Sequence, residues 1–93
     1  MPMDYIRESE VLKALAHPVR LRMAEGLLGR ECHVDKMVKA LKLPQSTVSQ
    51  HLGVLKAAGV VGIRKEGVKT CYRVLAPKVV ELIKVLSKGE VSR

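Results

Sequence analysis

The amino-acid sequence predicts a single small domain that is mainly α-helical and contains one β-hairpin. Three observations predict this fold class. Apolar residues recur at helical spacing over most of the chain, and two β-branched runs flank a Glu-Gly pair that is typical of a tight turn. The 93 residues suffice for one domain with a thin core. The expected element order is helix, helix, short strand, helix, helix, two strands and a final helix.

The first two helices are separated by a proline. Residues 3–15 place apolar side chains at helical spacing. His17 then interrupts the helix, because the residue before Pro18 is disfavoured in the helical region. A second helix is expected over about 19–28, and Gly29 is a suitable residue to end it.

The next two helices are expected to form a compact pair. A short extended piece over 31–34 leads into a third helix, for which Asp35 is a suitable N-terminal cap. This helix runs to about Leu41, and the link that follows is tight. Pro44 suits the first position of a fourth helix, which is expected to end at Ala58.

A hairpin and a last helix complete the chain. Residues 60–65 and 68–74 are β-branched runs, and the Glu-Gly pair between them predicts a hairpin. A proline at position 77 opens the last helix, which is predicted to reach about residue 88. Its apolar residues occupy more than one side of the helix, so part of them needs a partner.

Positive charge is concentrated in the middle of the sequence. The formal net charge is +8. Residues 1–33 are neutral, whereas 34–73 carry eight basic and two acidic side chains. This segregation favours a surface that binds a polyanion. The alternative is a lysine-rich surface that only keeps the protein in solution.

Two short helices, a tight turn and a basic hairpin predict one winged helix-turn-helix domain over 1–93, with the helix-turn-helix over about 35–58 and the wing over about 60–74. The fourth helix has a polar face with almost no charge, and such side chains match the donors, acceptors and methyl groups of base edges. A solvent-facing structural helix is the alternative, but the basic hairpin favours double-stranded DNA. The candidates for base or adjacent phosphate contacts are Gln45, Ser46, Thr47, Ser49, Gln50 and His51. The candidates for further backbone or minor-groove contacts are Lys56, Arg64, Lys65 and Lys69.

Three segments, in this order, resemble the ArsR-type (ArsR/SmtB) transcriptional repressors. They are ALAHPVRLRMAEGLL, LPQSTVSQHLGVLKAAGVV and RKEGVKTCYRV. The resemblance covers nearly the whole chain. It implies a homodimeric, sequence-specific repressor that leaves its operator when an inducer binds, with the terminal helices 3–15 and 77–88 building the dimer interface.

The residues at the sensor positions of this family differ here. Metal-sensing members carry a Cys-x-Cys pair before the third helix, and those positions hold His33 and Asp35, with Cys32 one place out of register. Arsenite requires soft thiolates, so an arsenite site is not expected. The last helix lacks the Asp and His of the family's second site. Zinc bound by Cys32, His33 and Asp35 remains an alternative that needs a fourth ligand.

The two cysteines form the other candidate sensor. In this family the strand before the helix-turn-helix pairs with the returning strand of the wing, so Cys32 and Cys71 can be cross-strand neighbours. Opposed residues lie about 4.5–5.5 Å apart, which is within disulfide range. A bond formed by an oxidant or reactive sulfur would tie the base of the wing. The alternative is two small buried residues.

Several other function classes are not expected. An enzyme needs paired carboxylates or a nucleophile beside a base, and neither arrangement is visible. A single-strand binder needs an aromatic platform, whereas the chain has two Tyr and no Phe or Trp. We expect a cytoplasmic protein without a membrane partner, because the sequence shows neither a long apolar run nor a leader segment. We also expect no cofactor. A DNA-binding regulator or architectural protein without an inducer remains an alternative.

Overall fold

The computed structural model describes residues 2–30 and 32–88, apart from the side chain of Cys32. The element order confirms the predicted fold class, although residue 31 of the predicted first strand lies outside the described residues. No helix in these two ranges is long and apolar enough to cross a membrane. The elements are α1 (Tyr5–Leu15), α2 (Pro18–Gly26), β1 (Cys32–His33), α3 (Val34–Leu41), α4 (Gln45–Ala57), β2 (Val61–Glu66), β3 (Lys69–Val74) and α5 (Pro77–Ser87).

Side-chain caps fix the starts of the first two helices. Asp4 accepts a hydrogen bond from the backbone N–H of Arg7 at 3.1 Å, so α1 begins two residues later than predicted. His17 caps α2 in the same way, because its Nδ1 accepts from the N–H of Val19 at 3.1 Å. The predicted interruption of the helix at His17 is therefore confirmed, and its side chain makes a hydrogen bond that the sequence did not indicate.

The helix pair α3 and α4 differs from the prediction at its two caps. His33 precedes α3 and makes no side-chain cap, and Asp35 lies inside the first turn. The expectation that Asp35 caps this helix was wrong, because the helix begins at Val34, two residues before the start that a cap at Asp35 would give. A carboxylate in the first turn is still favourable near the helix N-terminus. Pro44 precedes α4 instead of occupying its first position.

The wing belongs to a three-stranded antiparallel sheet in the order β1-β3-β2. Glu66 ends β2 opposite Lys69, so the hairpin loop consists of Gly67 and Val68. Gly67 has a φ of 62°, a left-handed conformation that glycine adopts without strain. The loop thus lies one residue later than the predicted Glu-Gly turn.

The hydrophobic core fixes the orientation of α4. Val48, Leu52 and Leu55 point inward and are almost completely buried. They pack in one cluster with side chains of α1, α2, α3, α5 and the start of β2. The opposite side of α4 must therefore face outward.

The terminal helices leave apolar side chains uncovered. In α5, Val79 and Ile83 are buried, whereas Val85 and Leu86 are exposed. In α1, the side chain of Ile6 is 78% exposed. Exposed apolar side chains grouped on the terminal helices are available for contact with a partner.

Candidate DNA-binding surface and the base of the wing

The outward side of α4 carries hydrogen-bonding side chains. Gln45, Ser46, Ser49 and Gln50 are exposed. Ser46, Ser49 and Gln50 point away from the buried apolar residues of the helix, whereas Gln45 is exposed as its first residue. Four of the six predicted base-contacting residues are therefore accessible to a duplex.

The other two predicted residues, Thr47 and His51, are only partly exposed. His51 stacks obliquely on His17, with ring centroids 4.6 Å apart. Its Nδ1 lies 3.3 Å from Nη1 of Arg20. The predicted single polar face is thus divided, because one edge of α4 packs against the start of α2.

Arg20 determines the hydrogen-bonding state of His51. A guanidinium only donates, so Nδ1 of His51 accepts and its Nε2 carries the proton of the neutral ring. The Nε of Arg20 also donates to the carbonyl of Ala14 at the end of α1.

Burial lowers the pKa of His51, and the nearby charges of His17 and Arg20 lower it further. The ring is therefore neutral at neutral pH. Its Nε2–H remains a donor that can contact a neighbouring acceptor such as a phosphate oxygen.

We expect the imidazole of His51 to titrate below its ordinary pKa of 6.5. The folded chain then binds this proton less readily than the unfolded chain. The stability contributed by neutral His51 is complete above pH 6.5 and is lost as the pH falls through 6.5 toward the lower folded pKa. A proton NMR titration of the imidazole rings measures this pKa directly.

The variant Arg20→Gln provides the comparison for this titration. We expect the pKa of His51 to rise in this variant, because one of the charges that oppose protonation is removed. A His51 ring in the wild type that titrates at or above 6.5 would contradict the packing described here.

Cationic side chains line the two strands of the wing and the end of α4. Lys56, Lys65 and Lys69 are exposed. Arg64 is exposed too, and its Nη2 lies 3.0 Å from Oε2 of Glu66. All four predicted backbone-contacting residues are therefore accessible, but Arg64 is held by an ion pair within the wing.

The pairing of β1 with β3 corrects one expectation about the cysteines. The two strands do pair, as the family resemblance implied. However, Cys32 opposes Tyr72, and Cys71 opposes His33. Successive residues of a strand face opposite sides of a sheet, so a cross-strand disulfide needs residues that oppose each other. This register does not favour an intrachain disulfide between Cys32 and Cys71.

The same register assembles a polar cluster at the base of the wing. Cys71 donates its thiol proton to Oε1 of Glu66 at 3.1 Å, and its sulfur lies 3.1 Å from Nε2 of His33. Nε2 of His33 is 3.7 Å from the same carboxylate oxygen. The thiol hydrogen bond lowers the pKa of Glu66, with Arg64 as the next contribution. The cluster thus joins an imidazole, a thiol and a carboxylate.

Sequence reasoning missed Glu66 in this cluster. The zinc alternative grouped His33 with Cys32 and Asp35 instead. Asp35 is exposed on α3 and is not part of the cluster, and the side chain of Cys32 lies outside the described residues. No local sequence signal indicates this cluster, because it depends on the strand register, and a shift of one residue exchanges the partner of Cys71.

Comparison with known proteins shows similarity over most of the chain. The family model for bacterial regulatory proteins of the arsR family matches residues 17–62. The transcriptional repressor PagR of Bacillus anthracis is 38% identical over 81 residues, which cover 86% of this chain and 81% of that protein.

Two solved structures show the same fold. HlyU from Vibrio cholerae N16961 has a TM-score of 0.88 at 33% identity, covering 95% of this chain and 96% of that chain. A homodimeric winged helix-turn-helix DNA-binding domain from Mycobacterium bovis has a TM-score of 0.83 at 30% identity, covering 90% of this chain and 78% of that chain.

Proposed function

The chain belongs to the ArsR family of bacterial regulatory proteins, and we propose that it represses transcription as a homodimer bound to a two-fold symmetric operator. It is a DNA-binding transcriptional repressor with a winged helix-turn-helix fold and not an enzyme. The observation that carries the proposed binding mode is the uncharged, hydrogen-bonding outer side of α4 beside the cationic wing.

In this binding mode, α4 enters the major groove. Gln45 and Gln50 supply amides that can pair with adenine through two hydrogen bonds. Ser46 and Ser49 reach base edges or adjacent phosphates. His51 contributes through its Nε2–H at the edge of the helix, and Thr47 offers its methyl group to thymine.

The wing holds the duplex through its charge. Arg64, Lys65 and Lys69 contact phosphates or the minor groove, and Lys56 contacts the backbone near the end of α4. Such contacts contribute to the affinity for every duplex and do not distinguish sequences directly.

The dimer forms through the terminal helices. Exposed Ile6 on α1, together with Val85 and Leu86 on α5, provides the apolar surface for a second copy of the chain. The similar domain from Mycobacterium bovis is homodimeric, which supports this arrangement. A dimer presents two α4 helices to successive major grooves about 34 Å apart.

Selection from a pool of randomised duplexes tests this proposal. The purified chain should enrich an inverted repeat whose half-site centres lie about 10 base pairs, or a multiple of that, apart. Enrichment of no sequence would indicate an architectural protein. Enrichment of a single unpaired half-site would contradict the dimer.

Replacing Lys65 by Ala is expected to weaken binding to all duplexes alike. One lost phosphate contact should reduce the slope of log affinity against log salt by about 0.9. The measurement is a series of titrations of the selected duplex and of an unrelated duplex at several salt concentrations.

Lys84→Ala is the matched control, because Lys84 is an exposed lysine on α5 and not on the wing. Its salt slope should equal that of the wild type. If Lys65→Ala leaves the slope unchanged, the wing does not anchor the duplex.

Release from the operator, in this proposal, is controlled at the base of the wing. The cluster of Cys71, His33 and Glu66 joins the strand before the helix-turn-helix to both wing strands. A chemical change at this cluster therefore acts on the position of the wing relative to α4. No disulfide with Cys32 is required.

A further inference from the structure

We propose that His33, Glu66 and Cys71 form a binding site for Zn²⁺ at the base of the wing. Each of the three strands contributes one ligand, with His33 from β1, Glu66 from the end of β2 and Cys71 from β3. The binding of the ion is independent of DNA. Its effect on the operator rests on the function proposed above.

The spacing of the three ligand atoms fits one tetrahedral ion. Zinc lies about 2.0–2.3 Å from its ligands, which places two ligands of a tetrahedral ion about 3.3–3.8 Å apart. The three observed separations are 3.1, 3.1 and 3.7 Å. Shifts of a few tenths of an ångström therefore suffice to admit the ion.

The chemistry of the donors favours zinc over calcium, magnesium and arsenite. Imidazole nitrogen, thiolate sulfur and carboxylate oxygen are the three donor types that zinc uses in proteins. Calcium and magnesium prefer oxygen ligands, so a thiol and an imidazole disfavour them. Arsenite requires several soft thiolates, and this cluster contains one sulfur.

The burial of Cys71 is unusual for a thiol that only fills space. Cys71 is 3% exposed, but among the described residues it is not a member of the hydrophobic core cluster. It lies opposite Arg64 on one side and His33 on the other. The side chains of His33 and Glu66 cover it, and they are themselves 27% and 49% exposed. The sulfur is thus shielded, while the carboxylate side of the cluster is open to solvent and to an entering ion.

Binding of the ion releases one proton, which comes from the thiol of Cys71. The thiol hydrogen that Cys71 now donates to Glu66 leaves to solvent, and the thiolate, the carboxylate and the neutral imidazole each give a lone pair to the ion. The three protein ligands leave a fourth position for water, as in open zinc sites. The cluster gains one net positive charge, since a divalent cation replaces one proton.

This added charge lies beside a proposed DNA contact. Oε2 of Glu66 holds Arg64 at 3.0 Å, while Oε1 faces the cluster. Zinc on Oε1 weakens the attraction between Glu66 and Arg64 and joins the three strands rigidly. Because both changes act on the wing, we expect zinc to alter operator affinity by at least about 5-fold, a common size for coupling between sites.

A zinc titration of the full chain against a chromophoric chelator tests the site. We expect one equivalent of Zn²⁺ per chain, and a thiolate-to-metal charge-transfer band when Co²⁺ replaces it. The variants Cys71→Ser, His33→Ala and Glu66→Gln should each lower zinc affinity at least about 10-fold, because even residues that only orient ligands have effects of this size. The absence of zinc binding by the wild type would overturn the proposal.

Two variants distinguish this site from the alternative zinc set. Cys32→Ser and Asp35→Asn should change zinc affinity by less than about 2-fold. Asp35 is not part of the cluster, and the register pairs Cys32 with Tyr72 and not with Cys71, so the two cysteines occupy positions on opposite faces of the sheet. Loss of binding in Cys32→Ser with retention in Cys71→Ser would overturn the proposal. Glu66 is exposed, so Glu66→Gln folds normally and gives a result even if Cys71→Ser is unstable.

The effect on DNA is measured separately, with the selected duplex and a zinc concentration that saturates the wild type but not Cys71→Ser. Operator affinity should change in the wild type and stay constant in Cys71→Ser. If zinc binds but operator affinity is unchanged, the site is confirmed and its coupling to DNA is contradicted. If the chain binds no specific duplex at all, the DNA-binding proposal fails while the zinc titration still decides the site.

Discussion

Ile6→Glu is expected to lower operator affinity by about 10²–10⁴-fold, the usual advantage of linking two binding modules. Ile6 is 78% exposed in the isolated chain, so a charge there does not disturb the fold of the monomer. In the proposed dimer the same charge is buried against apolar side chains, where it is strongly unfavourable. Each monomer then binds one half-site independently of the other.

Sedimentation at micromolar concentration, followed by titration of the full operator, measures this effect. Val68→Glu is the matched control for the oligomeric state, since Val68 is 99% exposed on the wing loop. This control should remain a dimer. A monomeric wild type that binds one half-site tightly would contradict the dimer.

Gln50→Ala is expected to weaken operator binding by about 1–3 kcal/mol, the usual contribution of one paired base contact. The difference in affinity between the wild type and Gln50→Ala should disappear when the operator is altered at the base pair that Gln50 reads. Neither protein can make that contact with the altered duplex. The measurement is a set of titrations on duplexes that differ from the operator at single positions.

The variant Lys65→Ala shows the opposite pattern and serves as the comparison. It should lower the affinity for all of these duplexes by a similar factor, because a phosphate contact carries no sequence information. An equal effect of Gln50→Ala on every duplex would show that Gln50 contacts the backbone and reads no base.

Much of the fold could be predicted from the sequence, because its determinants are local. The helical spacing of Val48, Leu52 and Leu55 predicts which side of α4 is buried, and all three are buried. The β-branched runs on either side of Gly67 predict the hairpin, and Gly67 does adopt the turn conformation. The buried side of α4 and the position of the hairpin both follow from patterns within a few residues.

The helix starts were less predictable than the helices themselves. Asp35 and His33 are both compatible with the start of α3, and the strand pairing of His33 decides between them. The N-terminal cap of α1 by Asp4 follows the ordinary preference for Asp, yet the apolar pattern alone placed the start earlier.

The contacts that organise the candidate sites are non-local and were not predictable. His51 is 31 residues from Arg20 in sequence, and no periodicity indicates that they meet. Cys71 is 38 residues from His33, and a register shift of one residue decides whether it faces a thiol or an imidazole. Strand register depends on the whole packed domain.

NMR of the two glutamine side chains tests the central claim most directly, which is that α4 reads duplex DNA. The sequence contains Gln45, Gln50 and no Asn, so every side-chain carboxamide signal of the chain comes from α4. On addition of the selected operator, we predict that both amide pairs shift strongly and exchange more slowly with solvent, and that an unrelated duplex has a smaller effect. Unchanged glutamine signals in a fully bound complex would contradict the account.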